Sequence, residues 1–281
     1  MSVPYSLFLK SLLVGTRLGD WLAQLRWFFG MRQRYKHPEM WELYLEDRWL
    51  PQILQRLLVS DSWGVDVGSH IGSFLALLKK FAPDGHHAAF EASSEKSKWL
   101  KRRFTDVDIF PYAVADKAGK AFFEENYAQS GYSHLVGEEK QPTEHASVYE
   151  VQLCTLDDVL LSRKKVDLIK LDIEGGELAA LRGAYQSINR WRPAIIFECG
   201  SEYGLERQKL SRKDLYDFIT KDLDYQIFCF ADFIFEKDAM TFDEFRKCGL
   251  YPFRAFNFVA LPQNRSLTEK TPEGRIVNSP S

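Results

Sequence analysis

Hydrophobic positions along the chain change their period near residue 60. Residues 38–58 carry Met40, Leu43, Leu45, Trp49, Ile53, Leu57 and Leu58 at helix-like intervals, with Glu42, Glu46, Asp47 and Arg56 between them, which predicts an amphipathic helix. From Trp63 onward, short apolar runs of strand length alternate with longer amphipathic stretches. Trp63–Val67, His86–Glu91, Val107–Val114, Val166–Leu171 and Ala194–Cys199 read as five buried strands. Ile71–Phe81, Glu95–Phe104 and Gly176–Trp191 read as the helices between them. Pro83-Asp84-Gly85 is a turn, and Pro193 resets the chain before the fifth strand.

The rhythm breaks after the third strand. Ala121–Tyr127 and Val148–Leu153 alternate in the manner of antiparallel or edge strands, and a polar loop from Ala128 to Ser147 lies between them. A loop of that length inside a domain is usually functional. Thr155–Leu161 predicts a short helix with Thr155 as its N-cap and Asp157 and Asp158 in its first turn. Beyond the fifth strand, helix Ser211–Leu223, strand Tyr225–Phe230, helix Thr241–Lys247 and strand Phe256–Leu261 complete the pattern. Strands alternating with helices call for a doubly wound, Rossmann-like α/β sheet, mostly parallel and covered on both faces, with at least one antiparallel strand at its end.

Composition changes this picture little. The 281 residues hold 45% hydrophobic and 27% charged side chains, and a formal net charge of −2 gives no electrostatic footprint for nucleic acid. Cys154, Cys199, Cys229 and Cys248 are widely spaced and contain no Cys-x-x-Cys pair, which suits reduced thiols in a cytoplasmic protein. No apolar run reaches membrane-spanning length. Residues 1–36 stand out, however. They carry Lys10, Arg17, Arg26, Arg32, Arg34 and Lys36 against Asp20 alone, interleaved with Trp21, Leu22, Leu25, Trp27, Phe28 and Phe29. The expectation preferred is that these helices pack on the domain and close one edge; the alternative is peripheral contact with an anionic membrane surface.

In a doubly wound sheet, ligands bind beyond the carboxyl ends of the strands, near the point where strand order reverses. The strand-end residues are therefore the informative ones. The first strand ends in Asp66-Val67-Gly68-Ser69, the second in Glu91-Ala92, the third in Ala113-Val114, the fourth in Asp172-Ile173-Glu174-Gly175 and the fifth in Glu198. The turn after the first strand has two glycines, Gly68 and Gly72. It is neither the three-glycine dinucleotide fingerprint nor a phosphate-cradling loop ending in Gly-Lys-Ser/Thr. A carboxylate-bearing amino acid suits such a helix N-terminus better than a pyrophosphate. Glu91 is placed to accept both hydroxyls of a ribose. A ribose without phosphates, joined to an amino acid, describes S-adenosylmethionine.

Residues 64–200 resemble the FkbM-type methyltransferases. The resemblance is carried by Val65-Asp66-Val67-Gly68-Ser69-His70-Ile71-Gly72, by Thr155-Leu156-Asp157-Asp158-Val159, and above all by Ile169-Lys170-Leu171-Asp172-Ile173-Glu174-Gly175-Gly176-Glu177, with Leu181-Arg182-Gly183-Ala184 and Phe197-Glu198 following in order. It implies a seven-stranded class I methyltransferase fold with an antiparallel last strand, S-adenosylmethionine as methyl donor, and a hydroxyl acceptor on a sugar, a glycan or a small-molecule natural product. The pattern along the chain predicts an N-terminal helical extension (1–60), the methyltransferase domain (61–262) and a flexible C-terminal tail (263–281). Asp66, Gly68, Ser69 and Gly72 would hold the methionine portion, Glu91 the ribose, and Ala92 and Val114 would flank the adenine. Two departures stand out. The family often has proline after the ribose-binding acid, where this chain has Ala92-Ser93. Tyr132-Ser133-His134 only partly matches the family's serine-rich patch.

Methyl transfer to an alcohol needs a base for its proton. Asp172, which is also expected at the donor, and Glu174 lead the candidates, followed by Glu198 and by His134 if the polar loop closes as a lid. Lys170 shares a strand face with Asp172 and would pair with a carboxylate or orient the acceptor. Bland roles compete: Glu174 and Glu177 could simply favour a helix N-terminus. His86 and His87 read as structural or solvated, and Lys96, Lys98, Lys101, Arg102 and Arg103 as a solvated helix face. Magnesium held by Asp172, Glu174 and Glu198 ranks below a metal-free mechanism. Two rival functions remain. A methyltransferase-fold scaffold without activity would bind no S-adenosylmethionine in calorimetry, and a nucleotide-sugar or dinucleotide enzyme would answer to nicotinamide cofactors in thermal-shift screening.

Overall fold

The computed structural model describes residues 12–29, 31–126, 133–136, 141, 145–200, 211–270 and 276–278. In chain order its strands are β1 (Gly64–Val67), β2 (Ala88–Phe90), β3 (Asp108–Phe110), β4 (Ala113–Val114), β5 (Gly119–Asn126), β6 (His134–Val136), β7 (Ala146–Cys154), β8 (Leu168–Leu171), β9 (Ala194–Glu198), β10 (Tyr225–Cys229) and β11 (Asn257–Pro262). Seven of them form the central sheet in the order β10-β11-β9-β8-β1-β2-β3. All run parallel except β11, which is antiparallel to both neighbours. The fold is the expected doubly wound one, and its antiparallel strand is the last of the seven in sequence.

Both faces of this sheet are covered, which is why its strands are nearly continuous apolar runs. Val65, Val67, Ala88, Phe90, Leu168, Ile169, Leu171, Ile195 and Phe197 all belong to one buried core. The register aligns the strand ends. Val67 pairs with Phe90 on one side and Leu171 on the other, and Leu171 pairs with Phe197. Gly68, Glu91, Asp172 and Glu198 therefore leave the sheet side by side. Strand order reverses at β1, so this edge is the switch-point crevice where such sheets take ligands.

Three predicted elements are corrected. Val107–Val114 is two strands, because Pro111 cannot donate to a ladder and breaks the run. Its second half, β4, leaves the central sheet and pairs with β7 in a separate four-stranded sheet, β4-β7-β5-β6. Part of the predicted loop Ala128–Ser147 is strand β6; its residues 128–132, 137–140 and 142–144 lie outside the described ones. The predicted helix Gly176–Trp191 is two, Glu177–Arg182 and Tyr185–Trp191. At the break, a side chain on Gly183 would come within 2.1 Å of the Ala115 carbonyl oxygen. Asp157 supplies the second helix's cap, accepting from the backbone amides of Gln186 (3.0 Å) and Ser187 (2.8 Å). Past β11, Arg265–Lys270 and Ile276–Asn278 pair antiparallel where a frayed tail was predicted.

Ahead of β1, helix Trp41–Leu57 buries Trp49, Ile53, Leu54 and Leu57 in the main core. Its Glu46 carboxylate accepts from the Phe256 and Asn257 backbone amides (2.9 and 3.0 Å) and from Asn257 Nδ2 (2.8 Å). Arg254 binds Asp232 through two nitrogens (2.9 and 2.6 Å) and Glu42 through Nε (2.8 Å). This helix is thus tied to the start of β11. In the preceding helix, Arg17–Phe29, Trp27 fits the packing expectation, with the guanidinium groups of Arg34 and Arg48 against its ring. Leu18, Trp21, Leu22 and Phe28 are exposed, so the edge-closing expectation fails for that face. Among the described residues, no helix is long and apolar enough to cross a membrane.

Candidate functional site

The turn after β1 is built around two left-handed glycines, Gly68 (φ 81°) and Gly72 (φ 82°). The Gly68 and Ser69 amides donate to the Phe90 carbonyl at 3.0 and 3.2 Å, which closes the turn against β2. A side chain on Gly68 would lie 1.9 Å from the Asp172 carbonyl oxygen, so the cavity floor must be bare backbone. At Gly72 a Cβ would meet Phe104 and Leu100 instead. Gly72 is thus required by helix packing, not by the cavity. Asp66 and Ser69 are also behind the wall: both are buried, and the Ser69 hydroxyl donates to the Asp66 carbonyl at 2.9 Å. Of the four residues expected to hold the methionine portion, Gly68 alone lines the cavity.

Glu91 follows β2 and is pinned by the backbone. His70 N donates to its Oε2 and Ser93 N to its Oε1, both at 2.8 Å. Burial raises its pKa, against the pull of Lys96 and these two amides. Each oxygen keeps lone pairs for a ligand. Ala92 and Val114 line the wall beside it, as expected, with Tyr112 between the two strands.

The third part is a carboxylate and amine cluster. Lys170 on β8 pairs with Asp66 across the sheet, and its Nζ lies 2.8 Å from Asp172 Oδ2 and 3.7 Å from Asp66 Oδ1. Burial pushes against the Lys170 charge, but the two carboxylates outweigh it and raise its pKa. Burial likewise pushes Asp172 up, yet Lys170 and a hydrogen bond from Glu198 hold it below the usual carboxylate range. Glu198 moves the other way: burial and the charge of Asp172 keep its proton on. The pair therefore shares one proton, held on Glu198. Lys170 is outside the cavity lining, so its place is as ion-pair partner to Asp172. Glu177 accepts from the amides of Ile173 (3.0 Å) and Gly175 (3.4 Å), which holds the turn from behind. That turn places Glu174 at a left-handed φ of 56°, on the cavity wall. His70, also a lining residue with positive φ, has its pKa pushed down to about 4 by burial and by Lys96, which leaves a neutral imidazole.

The four-stranded sheet closes the cavity from above with Phe123, Ser133, His134 and Leu135, enclosing about 260 Å³. The structure thus gathers Gly68, Glu91, Ala92, Val114, His134, Asp172, Glu174 and Glu198 around one space. Tyr132 lies outside the described residues. Sequence reasoning missed His70 and misassigned Lys96. Lys96 is 4% exposed and lines the cavity, with its Nζ 3.3 Å from Glu125 Oε1, while Tyr149 donates to Glu125 Oε2 at 2.7 Å. Its position four residues before buried Leu100 was the available clue. Lys98, Lys101, Arg102 and Arg103 are exposed as expected. His86 is solvated, whereas His87 is structural, accepting from Gly64 N and meeting the Ala82 carbonyl. Among the described residues, no three His, Cys, Asp or Glu side chains converge as metal ligands. Asp172, Glu174 and Glu198, the alternative magnesium set, all line the cavity, with the Lys170 ammonium 2.8 Å from Asp172 Oδ2.

A sequence model of the methyltransferase FkbM domain matches residues 66–227. No curated protein matches the chain. Among solved structures, the chain is similar to methyltransferase FkbM from Methylobacillus flagellatus KT, at 19% identity and a TM-score of 0.46. That alignment covers 73% of this chain and 44% of the other, so this chain spans less than half the length of that protein. Precorrin-6y C5,15-methyltransferase from Geobacter metallireducens GS-15 aligns at 10% identity and TM-score 0.38, over 64% of this chain and 72% of that one. An rRNA methylase from Streptococcus thermophilus aligns at 12% identity and TM-score 0.38, over 75% and 93%.

Proposed function

The chain belongs to the FkbM methyltransferase family, and from that premise we propose that it transfers a methyl group from S-adenosylmethionine to a hydroxyl of a sugar, a glycan or a small-molecule natural product. The observation that carries the reading is Glu91, a buried carboxylate fixed by two backbone amides beside a bare glycine floor. The residues fit the donor. Gly68 lines the cavity with bare backbone, since a side chain there would collide with the Asp172 carbonyl oxygen, and Glu91 has lone pairs left for the two ribose hydroxyls. Ala92 and Val114 offer apolar flanks for the adenine. Asp172, kept ionised by Lys170, suits the donor's ammonium group.

Bound there, S-adenosylmethionine would supply an electrophilic methyl group on a sulfonium sulfur. The chain's own contribution is position and proton handling. Asp172 is a weak base because Lys170 stabilises its charge. Glu198 already holds a proton, so it donates a hydrogen bond rather than accepting the acceptor's proton. His134 and Glu174 also line the cavity, and we assign the proton to His134, whose imidazole offers a ring nitrogen as acceptor. A chain of slight net negative charge with a small cavity favours a small-molecule or glycan acceptor over nucleic acid.

The test is transfer of a labelled methyl group to sugar and phenolic acceptors. With a working acceptor, His134→Asn should lower kcat about 100-fold and leave donor affinity unchanged. Full turnover in His134→Asn together with loss in Glu174→Gln would move the base to Glu174.

A further inference from the structure

Helix Arg17–Phe29 turns its apolar side away from the protein. Leu18, Trp21 and Leu22 share one face at i, i+3 and i+4, and Phe28 lies two turns beyond Trp21; they are 56%, 55%, 36% and 63% exposed. Trp27, on the opposite face, is clasped by Arg34 and Arg48 at 4.2 and 3.9 Å from its ring centre. The segment before the helix is also anchored, since Arg103 donates to the Val14 carbonyl at 3.3 Å. The helix is therefore fixed to the body by one side and leaves the other open. Burying such side chains is favourable, a gain the isolated fold forgoes.

Charge points to the occupant. Residues 1–36 hold six basic side chains and one acid, a balance of +5, within a chain whose total is −2. The rest of the chain therefore carries −7. On the helix, positions 17 and 26, both arginine, stand on either side of the apolar arc. A second copy would bring +5 against +5, so like-charge repulsion opposes self-association through this face. Exposed tryptophan and phenylalanine bordered by arginine are the chemistry of the headgroup boundary of an anionic bilayer.

We propose that helix Arg17–Phe29 lies flat on an anionic membrane surface, with Leu18, Trp21, Leu22 and Phe28 at the headgroup–acyl boundary and the net positive charge of residues 1–36 drawing it to lipid phosphates. The proposal is independent of the methyl-transfer reading. Its test is flotation of the full chain with vesicles of phosphatidylcholine alone or with roughly a third phosphatidylglycerol. The chain should float with the anionic vesicles only. Partitioning should fall at least about tenfold in a Trp21→Ser/Phe28→Ser double variant, and in the unaltered chain when salt rises from about 0.1 to about 0.5 M. Both positions are exposed, so the variant should keep its Tm. Flotation of the double variant equal to that of the unaltered chain would overturn the proposal, as would failure of the unaltered chain to float. A dimer that the double variant converts to monomer, without flotation of either, would instead give the face to a second copy.

Discussion

Lys170 decides the chemistry of the acids around it. Its Nζ sits between Asp172 and Asp66, over the Phe74 ring, and Asp66 finds no hydrogen-bond donor for either carboxylate oxygen. Take the ammonium away and buried Asp66 faces half-buried Asp172 without a counter-charge, which favours uptake of a proton by one of them. In Lys170→Met the Asp172 pKa should therefore rise. The contribution of Asp172 to donor binding in the unaltered chain should be flat from pH 5 to 8, because a depressed pKa keeps Asp172 ionised throughout. In Lys170→Met it should weaken as pH falls across that window, as read by calorimetry at each pH. A flat profile in the variant would remove Lys170 from this role. Asp172 and Glu174 were legible as strand-end acids, but their protonation was not. The Asp172–Glu198 pair depends on two strands that touch only in the fold, 26 residues apart by numbering and adjacent through the Leu171–Phe197 register. His70 escaped notice for a related reason: its neutrality comes from burial and from Lys96 across the turn.

At the scale of elements, the sequence was most readable where a residue type acts locally. Thr155 caps its helix as predicted, with its side chain accepting from Asp158 N at 3.1 Å. Its neighbour Asp157 does something no local pattern announces, capping a helix 28 residues further on. Asp157→Ala should cost about 1 kcal/mol, seen as a Tm lower by a few degrees, with donor affinity unchanged. Pro111 could have been read as a strand break, because proline removes a ladder donor. The helix break at Gly183 could not, since the obstacle is the carbonyl of Ala115 on another segment. Glu46 links helix Trp41–Leu57 to β11, and burial pushes its pKa up to about 7 despite three donors. A raised folded-state pKa gives stability that is complete below the unfolded value near 4.5, declines as pH rises, and is gone once pH passes about 7. Glu46→Gln should therefore flatten the fall in unfolding free energy between pH 4.5 and 7, by at most about 1.4 kcal/mol per pH unit. Denaturant melts across that range measure it, and an unchanged slope would contradict the assignment.

The whole molecule places one sheet on top of another sheet's carboxyl edge. The central sheet supplies the bare turn and the acids. The smaller sheet supplies His134, Leu135 and Phe123 as a cover. Periodicity disclosed the first sheet, because strands buried on both faces read as apolar runs. It disclosed the second only as edge-like alternation, as in β7, where exposed Glu150 and Gln152 flank buried Val151, and the pairing of β7 with β4 needs the chain to leave the main sheet at Pro111. The helix Arg17–Phe29 was ambiguous for a comparable reason: an apolar stripe has the same period whether it faces a core or a surface. Fold and donor cradle follow from residues close in sequence, whereas the acceptor side is assembled from distant ones.

The claim that joins these scales is that the crevice beside Gly68 and Glu91 holds the methyl donor. Calorimetric titration of the full chain with S-adenosylhomocysteine, beside Glu91→Ala and with Asp157→Ala as a folded control, tests it directly. Saturable one-site binding to the unaltered chain and to Asp157→Ala, weakened at least about tenfold in Glu91→Ala, is the expected result. Equal affinity in Glu91→Ala, or no heat of binding to the unaltered chain, would contradict it.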